Sequence, residues 1–274
     1  MLHQRRRLLL SEASLDARRY PDDLEGEKGY CRPGSVRIEF SVSNWAAWAP
    51  GLTSPEAWRA WALGPELAPV GAETPPLTEV PAMARRRVEK LGRPAFQVAQ
   101  WCQAEGRGVP LIFASRHGEP GRGAELLICL AKGEPLSPTS FALSVHNAIG
   151  AQYSIIRGDT ANVTAVANGV FTVEAAVIEA VSHLRDGQPE VMIVVYDATV
   201  PALYAGHCDE PPADFAYAWK IVPGKDFALE TADLPASPSA VLPHGLSVFR
   251  FFLGKEATHA RGDGLTGWKW SRHV

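Results

Sequence analysis

Three apolar runs that do not alternate constrain this chain more than any other feature. VMIVVYDA at residues 191–198 has apolar side chains on both faces of its would-be strand and ends near Asp197. VPLIFAS at 109–115 has the same character. A strand with one solvated face alternates, so a strand without alternation is covered on both faces, as in a helix-flanked parallel sheet. The third run opens NVTAVANGVFTVEAAVIEAV at 162–181, where small, β-prone residues lead through Asn168-Gly169 into a helix-forming segment. Strands alternating with helices predict an α/β layered fold, a mostly parallel sheet with helices on both faces.

The remaining segments fit that plan. VRIEFSVSNWAAW predicts a first strand, with order beginning at Ser35. In SPEAWRAWALG, Ser54 suits an N-cap and Pro55 the first helical position, and Trp58 and Trp61 share a face. PAMARRRVEKLGRPAFQVAQWCQAEG predicts one helix, or two broken near Gly92-Arg93-Pro94. GAELLICLAKG reads as a helix ended by Gly133. SFALSVHNAIGAQYSI reads as a helix whose small residues let another backbone approach. FAYAWKIV and HGLSVFRFFLG are expected strands, and GDGLTGWKWSRHV an irregular tail packed by Trp268 and Trp270.

Residues 1–34 are charged, and their Leu8-Leu9-Leu10 is too short for a signal-peptide core, so they predict a poorly ordered extension before one domain over 35–274. No run approaches the length of a membrane span. Apolar residues are 46% of the chain and the net charge is −3, which supports a real core and no nucleic-acid partner. Cys31, Cys102, Cys129 and Cys208 form no metal-ligand spacing. Cys102 and Cys129 read as core thiols in a reducing, cytoplasmic setting.

Arg116 and His117 follow a buried strand directly, where ligands gather in parallel sheets; the plain alternative is a locally bonded loop. His146 and Asn147 fall in a helical segment and read as a satisfied core pair holding two segments together. A hydrolase triad of Ser144, His146 and Asp197 is disfavoured, because positions two apart on a helix face different ways and no G-x-S-x-G occurs. Glu174 and Glu179 lie in the helix after the turn, where Glu174 suits the helix dipole. Arg85, Arg86 and Arg87 are the one basic cluster, a solvated face or a dock for an acidic partner.

At SPTSFALSVHNAIGAQYSI, the strand–turn–helix and VMIVVYD, the chain resembles the N-terminal half of β-ketoacyl synthases of the thiolase superfamily. It is most similar to the short chain-length-factor-like proteins of aryl polyene clusters. WAPGL, EAWRAWALG, PAMARRRVEKLGR, FASRHGE and LSPTSFALSVHNA are similar to blocks of that group, and the resemblance covers residues 36–201 best. It implies a thiolase-like fold. In active members the elbow carries a cysteine that takes the acyl chain from an acyl carrier protein; here that place falls at Val170. No cysteine occurs between Cys129 and Cys208. His244 and His259 do not stand in the contexts of the family's catalytic histidines.

The resemblance therefore implies a non-catalytic subunit paired with an active β-ketoacyl synthase, and no cofactor. Arg116, His117, His146, Asn147, Asn168, Gly169 and Val170 are the expected pocket or interface residues. Segments 161–171 and 144–155 are expected at the interface, and Arg85–Arg87 at the carrier protein or partner. The alternatives are a stand-alone acyltransferase or thioester hydrolase using His117 or His146, and a homodimeric acyl-binding protein.

Overall fold

The computed structural model describes residues 36–103, 106 and 108–273; the expected extension over 1–34, Ser35 and Cys31 lie outside the described residues. The three non-alternating runs form strands β2 (Leu111–Ala114), β3 (Val163–Val166) and β4 (Val191–Asp197), once the first strand is counted as β1 (Arg37–Trp48). They lie side by side in the order β3-β2-β4, both pairings parallel, with Phe113 opposite Ala165 on one side and Val194 on the other. The two inner strands are buried at every position up to Tyr196, whereas β3, at the sheet edge, is half-buried throughout.

The rest of the sheet is antiparallel. β5 (Phe215–Thr231) runs beside β4 with its first half and beside β7 (Gly267–Arg272) with its second; β6 (Thr258–Gly262) pairs with β7. β1 accompanies both halves of β5. The register jumps there, Phe40 facing Phe227 and Ser41 facing Val222, so Pro223–Asp226 is thrown out as an irregularity. A proline without an N–H followed by glycine suits such a break in a ladder.

Helices cover both faces. α1 (Pro55–Leu63) begins as expected, Ser54 Oγ accepting the Ala57 N–H, and Trp58 meets Trp61 edge-on at 5.2 Å. α7 (Thr172–Arg185) and α8 (His244–Leu253) join α1 on one face, where Val173, Val177, Leu246 and Phe249 pack against Tyr217 and Trp219. Phe249 stacks on Tyr217 at 4.4 Å. α3 (Gly92–Cys102) and α6 (Ala148–Arg157) cover the other face through Phe96, Val98, Ile149 and Tyr153. α6 sits close because Gly150 lacks a side chain: a Cβ there would lie 2.8 Å from Val163 and 3.0 Å from Phe113.

Several expectations change. The basic segment is two helices, α2 (Ala82–Arg85) and α3, and the break falls at 86–91; Pro94 sits inside the first turn of α3, where a missing N–H costs nothing. SFALSVHNAIGAQYSI is also divided, into α5 (Pro138–Ala142) and α6, with His146 and Asn147 in the turn between them. HGLSVFRFFLG is a helix, because Leu246, Phe249 and Leu253 recur at helical spacing; its aromatic content suggested a strand. The tail is not irregular but supplies β7, with Trp270 in the core. Cys102 is a core thiol, pushed up to about 12 by burial. Cys129 is only half-buried, on α4 (Pro120–Lys132). Among the described residues no helix is long and apolar enough to cross a membrane.

Candidate functional site

The C-terminal ends of β2, β3 and β4 bring most of the expected residues to one end of the sheet. Asp197, closing β4, accepts three hydrogen bonds from the loop after β2: Ser115 Oγ at 2.8 Å, Arg116 N at 3.1 Å and His117 N at 3.3 Å. Ser115 Oγ in turn accepts the Gly118 N–H at 2.8 Å. Burial pushes the Asp197 carboxyl above its usual range, and these donors oppose that rise. The carboxylate thus shapes the loop, and its hydrogen-bonding capacity is largely spent.

Gly118 and His146 meet tightly. His146 Nε2 lies 3.2 Å from the Val166 carbonyl at the end of β3, and a Cβ on Gly118 would be 2.6 Å from His146 Nδ1. Gly118 also has a φ of +63°. Both the backbone and the neighbour demand glycine, so Gly118→Ala is expected to lower folding stability by roughly 1–3 kcal/mol. Gly169→Ala should cost about 1 kcal/mol, since that φ is also positive but no atom would meet the added Cβ. Urea denaturation of the two variants checks the ranking.

The elbow itself is built as the sequence implies. β3 ends at Val166, a short 3-10 turn (Gly169–Phe171) follows, and α7 begins at Thr172. Thr172 Oγ1 accepts the Asn168 N–H at 2.9 Å and donates to the Gly169 carbonyl at 2.8 Å, locking the turn. Val170 is half-buried and Asn168 exposed. Ser144 Oγ donates to the Phe141 carbonyl, so Ser144, His146 and Asp197 are each bonded elsewhere and form no triad.

A buried cluster behind the elbow was not foreseen. Glu174, fully buried in the first turn of α7, accepts from His244 Nε2 at 2.7 Å and Trp270 Nε1 at 2.8 Å. Burial alone would raise its carboxyl; His244 and the indole outweigh that and leave it below the usual carboxylate range. His244 packs edge-on against Phe171 at 6.0 Å and stacks on His259 at 5.7 Å. These partners are 70 and 96 residues from Glu174, and one sequence carries no signal for such pairings; the hint was a glutamate between Val173 and Ala175-Ala176-Val177 in the apolar first half of the helix.

His259 is held down to about 4 by burial first and by His244 second, so it is neutral in the fold near neutral pH. Its depressed folded-state value contributes stability above its ordinary 6.5 that is lost as pH falls toward 4. About 3 kcal/mol is expected to disappear over that window, and Glu174 adds to the loss at its lower end. Chemical denaturation at stepped pH checks this, and His259→Phe should flatten the slope.

The basic cluster divides. Arg85 is half-buried and donates to the Leu77 carbonyl at 3.3 Å, whereas Arg86 and Arg87 are exposed. Arg116 is committed to Asp209 at 2.7 Å and Glu210 at 2.8 Å. Burial would lower its guanidinium, but these two carboxylates raise it above the ordinary value. His117 is exposed at the mouth of the loop and Asn147 on the surface near α6.

The model of the β-ketoacyl synthase N-terminal domain matches residues 58–271. The chain belongs to this family. It is 26% identical to a chain of the ketosynthase ApeO in complex with its chain length factor ApeC from Xenorhabdus doucetiae, with a TM-score of 0.76 over 86% of this chain and 100% of that one. The ishigamide ketosynthase/chain length factor is 13% identical, with a TM-score of 0.57 over 72% of this chain and 68% of that one. The type II acyl-carrier protein–ketosynthase complex AntDE:AntF is 11% identical, at 0.53 over 73% and 71%. The last two likenesses concern the fold. No curated protein matches the chain. As a β-ketoacyl synthase-like domain it has a thiolase-like fold, and the segment from 130 to 207, which contains the strand–turn–helix, holds no cysteine.

Proposed function

We propose that this chain is a non-catalytic subunit of the chain-length-factor type. It pairs with a cysteine-bearing β-ketoacyl synthase and shapes the end of the acyl tunnel during carrier-protein-dependent fatty acid, polyketide or polyene elongation. The observation that carries the reading is the open edge of β3, which leads straight into an elbow without a thiol. Leu111 N–H bonds the Asn162 carbonyl and Ser115 N–H the Val166 carbonyl. Residues alternate along a strand, so Asn162, Thr164 and Val166 face β2, while Val163 and Ala165 turn their N–H and C=O groups outward. Among the described residues no strand pairs with that edge. A short apolar edge left open invites another chain.

The surface beside it supports the same reading. Leu127 and Leu130 on α4, Leu136 before α5, Phe141 on α5 (65%), Val145 in the turn after it and Ile155 on α6 (77%) are exposed. Exposed apolar groups concentrated in one stretch of chain mark a protein contact. Arg86 and Arg87 remain the candidates for an acidic carrier protein. A stand-alone hydrolase is less well supported, because neither His117 nor His146 has a nucleophile bonded to it.

Co-expression with a full-length ketosynthase tests the proposal: a stable one-to-one complex by size analysis is expected, with acyl elongation only in the complex. Thioester turnover by the isolated chain that His117→Ala abolishes, or an acyl adduct trapped on it, overturns the reading.

A further inference from the structure

The loop between β4 and β5 encloses a cleft of about 210 Å³ beyond the C-terminal ends of β2 and β4. We infer that this cleft binds an uncharged apolar group about the size of one aromatic ring with a short chain. The place suits a ligand: β2 leads to β3 on one side and β3 returns to β4 on the other, and open α/β sheets hold ligands beyond the strand ends at such a reversal. The walls are mostly apolar, with Val200, Ala205, Pro211, Pro212 and Pro243, and His117 and Thr199 add polar groups. The three prolines offer rigid surface at little entropic cost, and Phe215, 1% exposed, backs the cleft from the core.

The carboxylates and the guanidinium in the lining already have partners, which leaves the exposed ring of His117 as the one further group that can carry positive charge. Arg116 holds Asp209 and Glu210; Glu210 also meets Arg261 at 3.3 Å and accepts the His244 N–H at 3.1 Å. Asp197 accepts its three loop donors. A cation would lose its hydration and gain no free carboxylate, and an anion would meet only the exposed ring of His117. Size points the same way: an apolar cavity of about 150 Å³ accepts benzene, and this cleft has room for a ring and a few further atoms.

The inference gives an occupant to the Arg116–His117 side of the proposed site but needs no partner subunit, so its failure and that of the pairing are read by separate experiments. Titration of the full chain with phenylpropanol, phenylpropionate and phenylpropylammonium, followed by amide chemical shifts, tests it. Saturable binding of the alcohol is expected, with both ions about tenfold weaker or more. Ala205→Trp and Val200→Trp, at exposed and half-exposed wall positions, should each weaken the alcohol about tenfold or more, with unchanged near-UV circular dichroism. An alcohol that does not saturate, an ion that binds as tightly, or affinity unchanged in both variants overturns the inference.

Discussion

Replacing Glu174 with alanine is expected to cost roughly 3–5 kcal/mol of folding stability, the largest loss of any single change considered for this chain. The side chain is fully buried and holds the ring of His244 and the indole of Trp270, two groups with no route to water. Truncation leaves both donors stranded and opens a cavity between α7, α8 and β7. The loss measures stranding and not the net worth of the hydrogen bonds, so a combined replacement should behave differently. Glu174→Met with His244→Phe and Trp270→Phe removes all three polar partners at similar volume and should recover most of the deficit. Urea denaturation of the single and triple variants decides the matter; equal losses would show that the cluster is not the cause.

The second large effect concerns β3. Proline at Ala165 deletes an N–H that faces outward, so the bonds to β2 survive. Proline at Thr164 deletes one that faces β2. Ala165→Pro is therefore expected to leave a folded chain whose association with a ketosynthase falls by about a hundredfold or more. Thr164→Pro should unfold the edge in the isolated chain, at a cost of roughly 3 kcal/mol. Circular dichroism of the free chain and co-elution with the partner separate the two. Wild-type pairing by Ala165→Pro would sink the edge-strand interface.

Much of the architecture was legible because it rests on local chemistry. Unbroken apolar runs marked β2 and β4; Ser54 with Pro55 marked the start of α1; Gly133, with a φ of +71°, marked the end of α4. The elbow was legible from small residues followed by Asn168-Gly169. Less readable was whatever depends on partners far along the chain. The aromatics of α8 favour a strand in isolation, yet the stack on Tyr217 and the contacts of Trp219 settle a helix there. Trp268 and Trp270 sat in a segment dense with glycine, and only the waiting edge of β5 makes it a strand. At the site, Arg116 and His117 were readable as the loop after a buried strand, but nothing local indicated that Asp197 organises their backbone. His146 reads as a helical residue until Pro138 and Ser137 are seen to start a separate short helix before it.

The long second half of β5 has a consequence for how this polypeptide folds. Arg37 pairs with Glu230, and Phe227–Thr231 pairs with the final strand, which includes Trp270. The β1–β5 ladder joins segments far apart in the sequence, and loop closure of this length makes folding slow. The strands β2, β3 and β4 pair through residues 111–195 alone, so the parallel half of the sheet is expected to form ahead of the antiparallel half that β1 and β7 complete.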